Sequence, residues 1–405
     1  MFSETAAVLR SLPRPFRTLL LGIVLNRVAT FIVPFLTLAL TRDRGLTDAE
    51  AGLVFLAYGA GSVASLLVGG LLTDALGRRR TMLLSLLGAG TLAAGLGFAR
   101  DTRLFVATLL LYGFIGDLYR PAVHSVMADL LPSERRAEGT AALRTAVNVG
   151  WAVGLSLGGL LADLGPKVLF LADGLTTIAF GFVVMAGVPE TRRGGAAAEP
   201  LRPGDLPRAL ARDPVLRGVV LCTVAWSLYM VCFMTVFPLT VEQWAGYPPV
   251  VYGLTLGLNG LLVALLQIPV SGRVARFRRL RTAALGMALG ALAVAALPAF
   301  RRWEWFFVVM TVATLAEMLF VPLTTAFLSD WAPPEVRGTY LGLHQAAFSL
   351  AFALSPVVML PLRRAVGDGW FWPLLLLPAV PAIPVLLRMD READRPERLR
   401  GASAP

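Results

Sequence analysis

The sequence predicts an all-α membrane protein with twelve transmembrane helices in two pseudo-symmetric bundles of six. Three observations predict this fold class: the composition, the number of long apolar runs and an internal repeat. Of the 405 residues, 56% are hydrophobic and only 16% are charged, and the mean hydropathy is +0.69. Because a soluble domain carries roughly 25% charged residues, the composition excludes a soluble globule.

Twelve apolar runs approach or exceed the length of about 20 residues that a membrane helix needs. We number them spans 1 to 12, at residues 18–41, 49–73, 81–99, 104–128, 139–163, 168–188, 218–240, 250–271, 282–300, 303–329, 338–361 and 369–387. A long polar interval rich in Arg, Pro, Gly and Ala divides them into two sets of six. The predicted domains are therefore an N-terminal six-helix bundle at 1–189, a cytoplasmic linker at 190–217, and a C-terminal six-helix bundle with a cytoplasmic tail at 218–405.

An internal repeat supports the division into two bundles. Adding 201 to a first-half position leads to the same residue type at Gly52, Gly59, Arg80, Pro121, Asp129, Pro132, Glu134 and Arg136. A single offset across several helices indicates two related bundles. Parallel repeats of this kind are typical of transporters, whose substrate site lies between the two halves near the bilayer midplane.

The positive charges predict the topology. If successive loops lie on opposite sides of the membrane, the side with both termini carries 25 Lys or Arg residues and the other side carries 9. Because positively charged loops stay in the cytoplasm, we predict a multi-pass protein of the cytoplasmic (inner) membrane with both termini cytoplasmic. The net charge of +11 is spread over short clusters and not over one folded face, so nucleic-acid binding is not expected.

The loop between spans 2 and 3 carries the most specific motif. Gly70, Asp74, Gly77 and Arg78 fall in the spacing G-x-x-x-D-x-x-G-R-R-R, which resembles the loop 2–3 motif of the major facilitator superfamily. The resemblance implies a fold of twelve helices that alternate access to a central cavity. It also implies that these four residues take part in conformational gating. The alternative is that the arginines only fix the topology.

The loop between spans 4 and 5 has a matched copy in the second half. The sequence from Asp129 to Arg136 aligns with the sequence from Asp330 to Arg337. We predict that Asp129 and Arg136 join Asp74 in a cytoplasmic charge cluster that contributes to gating. Helix capping in a solvated loop is an equally simple interpretation.

Span 5 is rich in glycines at intervals of four. Gly150, Gly154 and Gly158 form a smooth face against which another helix can pack closely. The run resembles the glycine-rich helix 5 motif of drug:proton antiporters, which implies a gating role for Gly154 and Gly158. Close packing alone is the alternative.

Four charged residues lie near the middle of apolar spans: Arg27, Asp117, Arg120 and Glu317. A charge at the bilayer centre costs about 2.5–3.5 kcal/mol on insertion scales and usually faces a cavity or a partner. In the family that this chain resembles, spans 1, 4, 7 and 10 line the cavity, so the resemblance implies that these charges meet there. We predict Glu317 as the first proton carrier and Asp117 as the second. A static ion network is the alternative.

Further polar and aromatic residues in the spans are predicted to line the substrate cavity together with Arg27 and Arg120. They are Asn26, His124, Trp226, Tyr229, Asn259, Gln267, His344 and Gln345. Flexible thioethers and rings on span 7 suit varied apolar ligands. Contacts with lipid or neighbouring helices, and ordinary hydrogen bonds between helices, are the alternatives.

These observations predict a secondary active transporter that couples protons to the efflux of amphipathic small molecules or drugs by alternating access. The alternative is an exporter or uniporter of a polar anionic metabolite without proton coupling. The expected partners are a small-molecule substrate, protons and membrane lipids, and we expect a monomer. The sequence has no Walker motif, no Cys and His cluster for a metal and no nucleophile triad, so neither an enzyme activity nor a cofactor is expected.

Overall fold

The protein consists of α-helices joined by short turns, and no strand occurs in the part of the chain that the structure describes. The structure is a computed structural model that describes residues 11–132, 135–191, 210–274, 276–332 and 337–393. Most of the predicted linker and the predicted cytoplasmic tail fall on residues 192–209 and 394–405, outside these ranges. The predicted all-α membrane fold is confirmed.

Eight predicted spans contain a single continuous long helix. These are spans 2, 3, 5, 6, 8, 9, 10 and 11, with helices Asp48–Leu76, Arg78–Leu96, Arg136–Leu161, Pro166–Gly187, Pro249–Val274, Arg279–Ala295, Trp303–Trp331 and Arg337–Val366. Short 3-10 helices, Ala162–Leu164 and Leu297–Ala299, follow spans 5 and 9. Each predicted run therefore overlaps a helix whose ends lie within a few residues of the apolar boundaries.

Spans 1, 4, 7 and 12 are interrupted. Their segments are Arg14–Val28 and Ile32–Thr41, Thr102–Gly116 and Tyr119–Leu130, Pro214–Thr235 with Phe237–Leu239, and Asp368–Leu374 and Leu376–Ala393. A π-helical turn at Thr240–Trp244 ends span 7. Among the described residues, ten stretches meet the length and hydropathy of a membrane span by themselves. Spans 3 and 5 are not among the ten, and the helices that contain them begin with the charged residues Arg78 and Arg136.

The chain divides into two compact units. Unit 1 comprises Met1–Ala198, Met234–Ala264 and Pro356–Pro361, and unit 2 comprises Glu199–Phe233, Leu265–Ser355 and Leu362–Pro405. Spans 1, 3, 4, 5 and 6 share a hydrophobic core within unit 1. It includes the buried residues Phe16, Leu20, Met82, Val126, Leu143 and Phe180. This core fixes the helices from which the polar residues of unit 1 project.

Glycines bring span 5 close to the middle of span 1. A Cβ added at Gly154 would lie 2.6 Å from the carbonyl oxygen of Arg27, and one at Gly150 would overlap the Arg27 Cβ. At Gly158 an added Cβ would lie 2.6 Å from the ring of Phe35. The absence of side chains on this face therefore permits contact between helix backbones, as the spacing of four predicts.

Pro34 explains the interruption of span 1. It occupies the third position of Ile32–Thr41, where the missing N–H of proline is tolerated. In a continuous helix, its ring would clash with the carbonyl group of Thr30. The backbone instead leaves the helix after Val28 and begins again at Ile32.

Candidate functional site

A cavity of about 370 Å³ lies within unit 1, against spans 1, 4 and 5. Its wall combines apolar side chains with polar and aromatic groups. The polar and aromatic members are Arg27, Tyr119, Arg120, His124, Arg144, Asn148 and Trp151. Pockets that bind small molecules typically have this character, with a few placed polar groups in an apolar surface.

Arg27 is the cationic group that span 1 contributes to the wall. Its Nη2 donates a hydrogen bond to the hydroxyl oxygen of Tyr119 at 3.0 Å. Its Nε is buried and has no hydrogen-bond partner among the described residues. The indole N–H of Trp151 is also buried and lacks a described partner. Two residues of the wall thus each carry a buried donor without a partner among the described residues.

Asp117 and Arg120 form an ion pair at the interruption of span 4. The Nε of Arg120 lies 2.7 Å from Oδ1 of Asp117, and the hydroxyl of Ser62 donates to Oδ2 of the same carboxylate. The side chain of Asp117 is 15% exposed and that of Arg120 is 46% exposed. The spacing of three residues brings the charges together although the helix is interrupted after Gly116.

The cavity wall carries more positive than negative charge. Arg144 on span 5 is exposed and belongs to the lining, as do Arg27, Arg120 and the exposed His124. Of these groups, Arg120 is paired with a carboxylate. Sequence reasoning did not assign Arg144 to the cavity.

Asn26 is buried behind the cavity and does not line it. Its amide Nδ2 donates to the hydroxyl oxygen of Thr177 on span 6 at 2.8 Å, and the same hydroxyl donates to Asp173 at 3.4 Å. Asp173 is 1% exposed and was missed by sequence reasoning. The signal was available, because an acidic residue stands six positions into the apolar run of span 6.

The candidate residues of span 7 are packed inside unit 2. Trp226 and Tyr229 are buried, and the ring of Trp226 stacks on that of Phe320 with the centroids 4.4 Å apart. Glu317 on span 10 is half-buried and interacts electrostatically with Tyr229. The hydroxyl of Tyr229 is buried without a hydrogen-bond partner in the described part of the chain.

The other polar candidates have different surroundings. His344 is buried in unit 2, where its two ring nitrogens lie 3.0 Å from the Thr223 hydroxyl and 3.2 Å from that of Thr325. These contacts agree with an interhelical role. Gln345 is exposed, the amide of Gln267 donates to the hydroxyl of Ser271, and Asn259 is half-buried in unit 1. Whether any of these residues touches a substrate stays a prediction.

The predicted gating residues Arg78 and Asp129 are in contact. The Nε of Arg78 lies 3.1 Å from Oδ2 of Asp129, which also accepts a hydrogen bond from Thr191 at 2.8 Å. Glu190 accepts the backbone N–H of Arg78 at 2.8 Å, next to Gly77 with its positive φ of 99°. The side chains of Asp74 and Arg136 lie outside the described part of the structure.

The close helix contact in span 2 occurs next to Gly70. A Cβ added at Gly69 would lie 2.6 Å from the carbonyl oxygen of Leu118, whereas one at Gly70 would meet open space. Gly69 therefore permits the approach of span 4 in this structure. The gating role of Gly70 stays a prediction. No group of three or more His, Cys, Asp or Glu able to hold a metal occurs among the described residues.

The chain has interrupted helices, a polar cavity within apolar spans and an internal repeat. We therefore compared its sequence with models of known protein families. A family model described as Major Facilitator Superfamily matches residues 19–263 and 221–404. The chain belongs to the Major Facilitator Superfamily. It is therefore a multi-pass membrane transporter, and the sequence-based assignment to this superfamily is confirmed.

Several relatives in the superfamily match most of the chain. The transporter YttB of Bacillus subtilis is 27% identical and covers 85% of this chain and 87% of its own length. A Na(+), Li(+), K(+)/H(+) antiporter of Planococcus maritimus is 25% identical and covers 85% and 88%. The quinolone resistance protein NorA of Staphylococcus aureus is 22% identical and covers 81% and 84%.

A solved structure in the superfamily has the same fold. A POT family transporter in complex with 5-aminolevulinic acid matches with a TM-score of 0.81 and 12% identity, covering 96% of this chain and 100% of that chain. At this identity the likeness concerns the fold alone. The substrate must be inferred from the cavity itself.

Proposed function

We propose that the chain is a secondary active transporter that exports amphipathic small molecules in exchange for protons by alternating access. The transporter acts in the cytoplasmic membrane as a monomer, with both termini in the cytoplasm. Its two six-helix bundles are joined by the linker at 190–217. This topology follows from the excess of positive charge in the loops on one side.

The cavity of unit 1 is the observation that carries the proposal. Its polar wall lies within apolar spans, and apolar residues such as Ile23, Val123 and Val147 complete it. A molecule with an apolar body and a polar group therefore matches both parts of the surface. The exposed guanidinium groups of Arg120 and Arg144 at this wall favour a substrate that offers hydrogen-bond acceptors.

Two relatives support export coupled to an ion gradient. One is named as an antiporter that exchanges monovalent cations for protons, and another as a quinolone resistance protein. Both cover more than four fifths of this chain. A shared mechanism of exchange is therefore the simplest extension to this chain.

The proton carriers that we propose are Glu317 and Asp117. Each is an acidic residue within an apolar span, and intramembrane carboxylates commonly act in proton relays. Glu317 interacts electrostatically with Tyr229, and Asp117 contacts Arg120 and Ser62. Loss of the proton creates a charge that requires such polar neighbours, so protonation is linked to the arrangement of the helices.

Transport by purified protein in liposomes tests the proposal. With the lumen of the liposomes more acidic than the medium, we expect uptake of a fluorescent quinolone together with release of protons from the lumen. Glu317→Gln cannot lose a proton, so we expect proton movement to fall at least about tenfold. Glu304→Gln is the matched control, because Glu304 is an exposed residue at the start of the same helix.

Proton movement that is unchanged in Glu317→Gln would refute the role of that residue. Quinolone transport that ignores the pH gradient in the unmodified protein would contradict proton coupling as a whole.

A second candidate function is export or uniport of a polar anionic metabolite without proton coupling. The observation that favours it is the positive charge at the wall, where Arg27, Arg120 and Arg144 line the cavity and Arg120 contacts the carboxylate of Asp117. Arginine binds carboxylates and phosphates through paired donors.

The pH gradient and a variant of Arg27 separate the two candidates. Transport of a small dicarboxylate that ignores the pH gradient and is abolished by Arg27→Ala would support the second function. If amphipathic molecules are the substrates, we expect that the dicarboxylate does not compete with quinolone transport.

A further inference from the structure

Asp173 is a buried carboxylate on span 6 that contacts the interruption of span 1. Its Oδ2 accepts hydrogen bonds from the backbone N–H groups of Phe31 at 3.0 Å and Ile32 at 3.1 Å. The first N–H groups of a helix have no partner within the helix, and a negative charge at this end is favoured by the helix dipole. Asp173 therefore caps Ile32–Thr41 from a different span.

The cap supplies an acceptor for the N–H of Ile32 and a second acceptor for that of Phe31, which also lies 2.9 Å from the carbonyl oxygen of Ala29. In a membrane, an unsatisfied backbone N–H cannot turn to water and is costly. No side chain of span 1 itself caps the start of Ile32–Thr41. The position at which span 1 resumes its helix thus depends on the carboxylate of span 6.

The same carboxylate is connected to the residues before the interruption. The hydroxyl of Thr177 donates to Oδ1 of Asp173 at 3.4 Å and accepts the amide N–H of Asn26 at 2.8 Å. The backbone oxygen of Asn26 also accepts the hydroxyl of Thr30 at 3.0 Å. Asp173 therefore links the helix end before the interruption to the helix start after it.

Arg27 lies between these two attachment points. It directly follows Asn26, in the last turn of Arg14–Val28. Its backbone lies against Gly150 and Gly154 of span 5. Its guanidinium group lines the cavity and donates to the hydroxyl of Tyr119. A change in the geometry of the interruption will therefore move this guanidinium group.

We propose that Asp173 is a positioning residue for the cavity: it caps the interrupted span 1 and thereby holds Arg27 at the wall. The inference rests on the proposed function in taking this cavity as the substrate site. Asp173 does not touch the cavity and acts through Arg27. A carboxylate that only stabilised the fold would affect the protein generally and would not act selectively on one arginine.

Chemical modification of the full-length protein in lipid nanodiscs tests this role without a substrate. Phenylglyoxal reacts with arginine, and mass spectrometry of peptides gives the rate at each site. In Asp173→Ala we expect Arg27 to react roughly tenfold faster, in line with the loss of hydrogen bonds to a charged group. Arg144, which is exposed in the same cavity wall, should keep its rate. Hydrogen exchange at Phe31 and Ile32 should increase in parallel.

Two further variants provide the controls. Asp173→Asn keeps a carbonyl oxygen that can accept the two backbone N–H groups, so we expect the rate at Arg27 to remain within about twofold of the original. Asp101→Ala removes a helix cap of the same chemistry, since Asp101 accepts the N–H of Leu104 at 2.9 Å. It lies at the start of span 4, outside the cavity lining, and should leave Arg27 unchanged.

An unchanged rate at Arg27 in Asp173→Ala would overturn the proposal, whether or not exchange at Phe31 and Ile32 rises. Equal acceleration at Arg27 and Arg144 would also overturn it, because that result indicates general loosening. If Asp173→Ala does not fold, Thr177→Val removes the hydroxyl that joins Asp173 to Asn26 and leaves the two backbone contacts of Asp173 in place. We then expect an intermediate acceleration at Arg27, and an unchanged rate would overturn the proposal.

Quinolone binding, measured by fluorescence titration, separates this inference from the proposed function. Asp173→Ala should weaken binding roughly tenfold, and the loss should disappear in an Arg27→Ala background, because residues acting through one contact are not additive. Additive losses would contradict the positioning role. If the unmodified protein binds no quinolone, the proposed substrate class fails, and the modification rates at Arg27 still decide the role of Asp173.

Discussion

The two copies of the repeat keep one ion pair at the same register and differ in how they enclose it. Arg78 pairs with Asp129 in unit 1, and Arg279 pairs with Asp330, each 201 residues later, in unit 2. The first pair is 13% and 17% exposed, whereas the second is 38% and 68% exposed. Thr191 adds a hydrogen bond to the first carboxylate. The two copies of the repeat therefore keep the ion pair at corresponding positions. The burial of each pair determines how much it contributes to stability.

The copies differ more strongly in span 5 and its counterpart. Gly150 and Gly154 of the first copy correspond to Ala351 and Ser355 of the second. The first pair packs against the interrupted backbone of span 1. The contact between helix backbones in span 5 is thus a feature of the first copy.

The largest effect in this comparison is expected for Gly154→Leu. A side chain at this position would overlap the carbonyl oxygens of Arg27 and Val28, which cannot rotate away. We expect a loss of more than about 3 kcal/mol in stability, the upper range for overpacking, and little folded protein after extraction. Size-exclusion chromatography and thermal unfolding measure both quantities.

Gly95→Ala is the matched control, because a Cβ there meets no atom within 4 Å. Replacing a helical glycine by alanine usually increases stability by about 0.5–1 kcal/mol. A stable Gly154→Leu protein would show that the contact with span 1 is not required.

An intermediate effect is expected from the two ion pairs. Arg78→Gln should cost about 2 kcal/mol, since removing one partner leaves a poorly exposed carboxylate unpaired. Arg279→Gln should cost less than about 1 kcal/mol, because exposed pairs contribute little. Unfolding in detergent with increasing denaturant gives both values. Equal costs would contradict the importance of enclosure.

The smallest effect is expected for Thr191→Val. This change removes one hydrogen bond to Asp129 and keeps the shape of the side chain. A hydrogen bond contributes about 1 kcal/mol net to stability. Without it, the stability contribution of the first ion pair should become similar to that of the second. In combination with Arg78→Gln the loss should be less than additive, and full additivity would indicate that the two contacts are independent.

The sequence predicted the spans well because long apolar runs are strong local signals. The helices of spans 2 and 10, Asp48–Leu76 and Trp303–Trp331, extend only slightly beyond the predicted runs. The interruptions were not predicted, because proline does not identify them by itself. Pro322 lies inside the continuous helix of span 10, whereas Pro121, its counterpart, follows an interruption. Gly116 precedes that interruption, and the corresponding residue in span 10 is Glu317, a better helix former.

The candidate site was predicted in part. The sequence identified Arg27, Arg120 and His124, which line the cavity. These residues stood out because ionisable side chains are rare in apolar spans. The position of Asp173 within an apolar span is visible in the sequence, but its partners, backbone N–H groups about 140 residues earlier in the chain, are not. Such a cap has no sequence motif and depends on how two distant helices pack.

The dependence of span 1 on Asp173 also has a consequence for biosynthesis. The segments before and after the interruption have 15 and 10 residues, or about 22 and 15 Å at 1.5 Å per residue. Neither alone crosses a hydrocarbon layer of about 30 Å. The capping carboxylate is translated 142 residues after Phe31, about 7–30 s later at roughly 5–20 residues per second. The backbone N–H groups at the interruption of span 1 therefore gain their capping carboxylate only after span 6 has been synthesised and inserted.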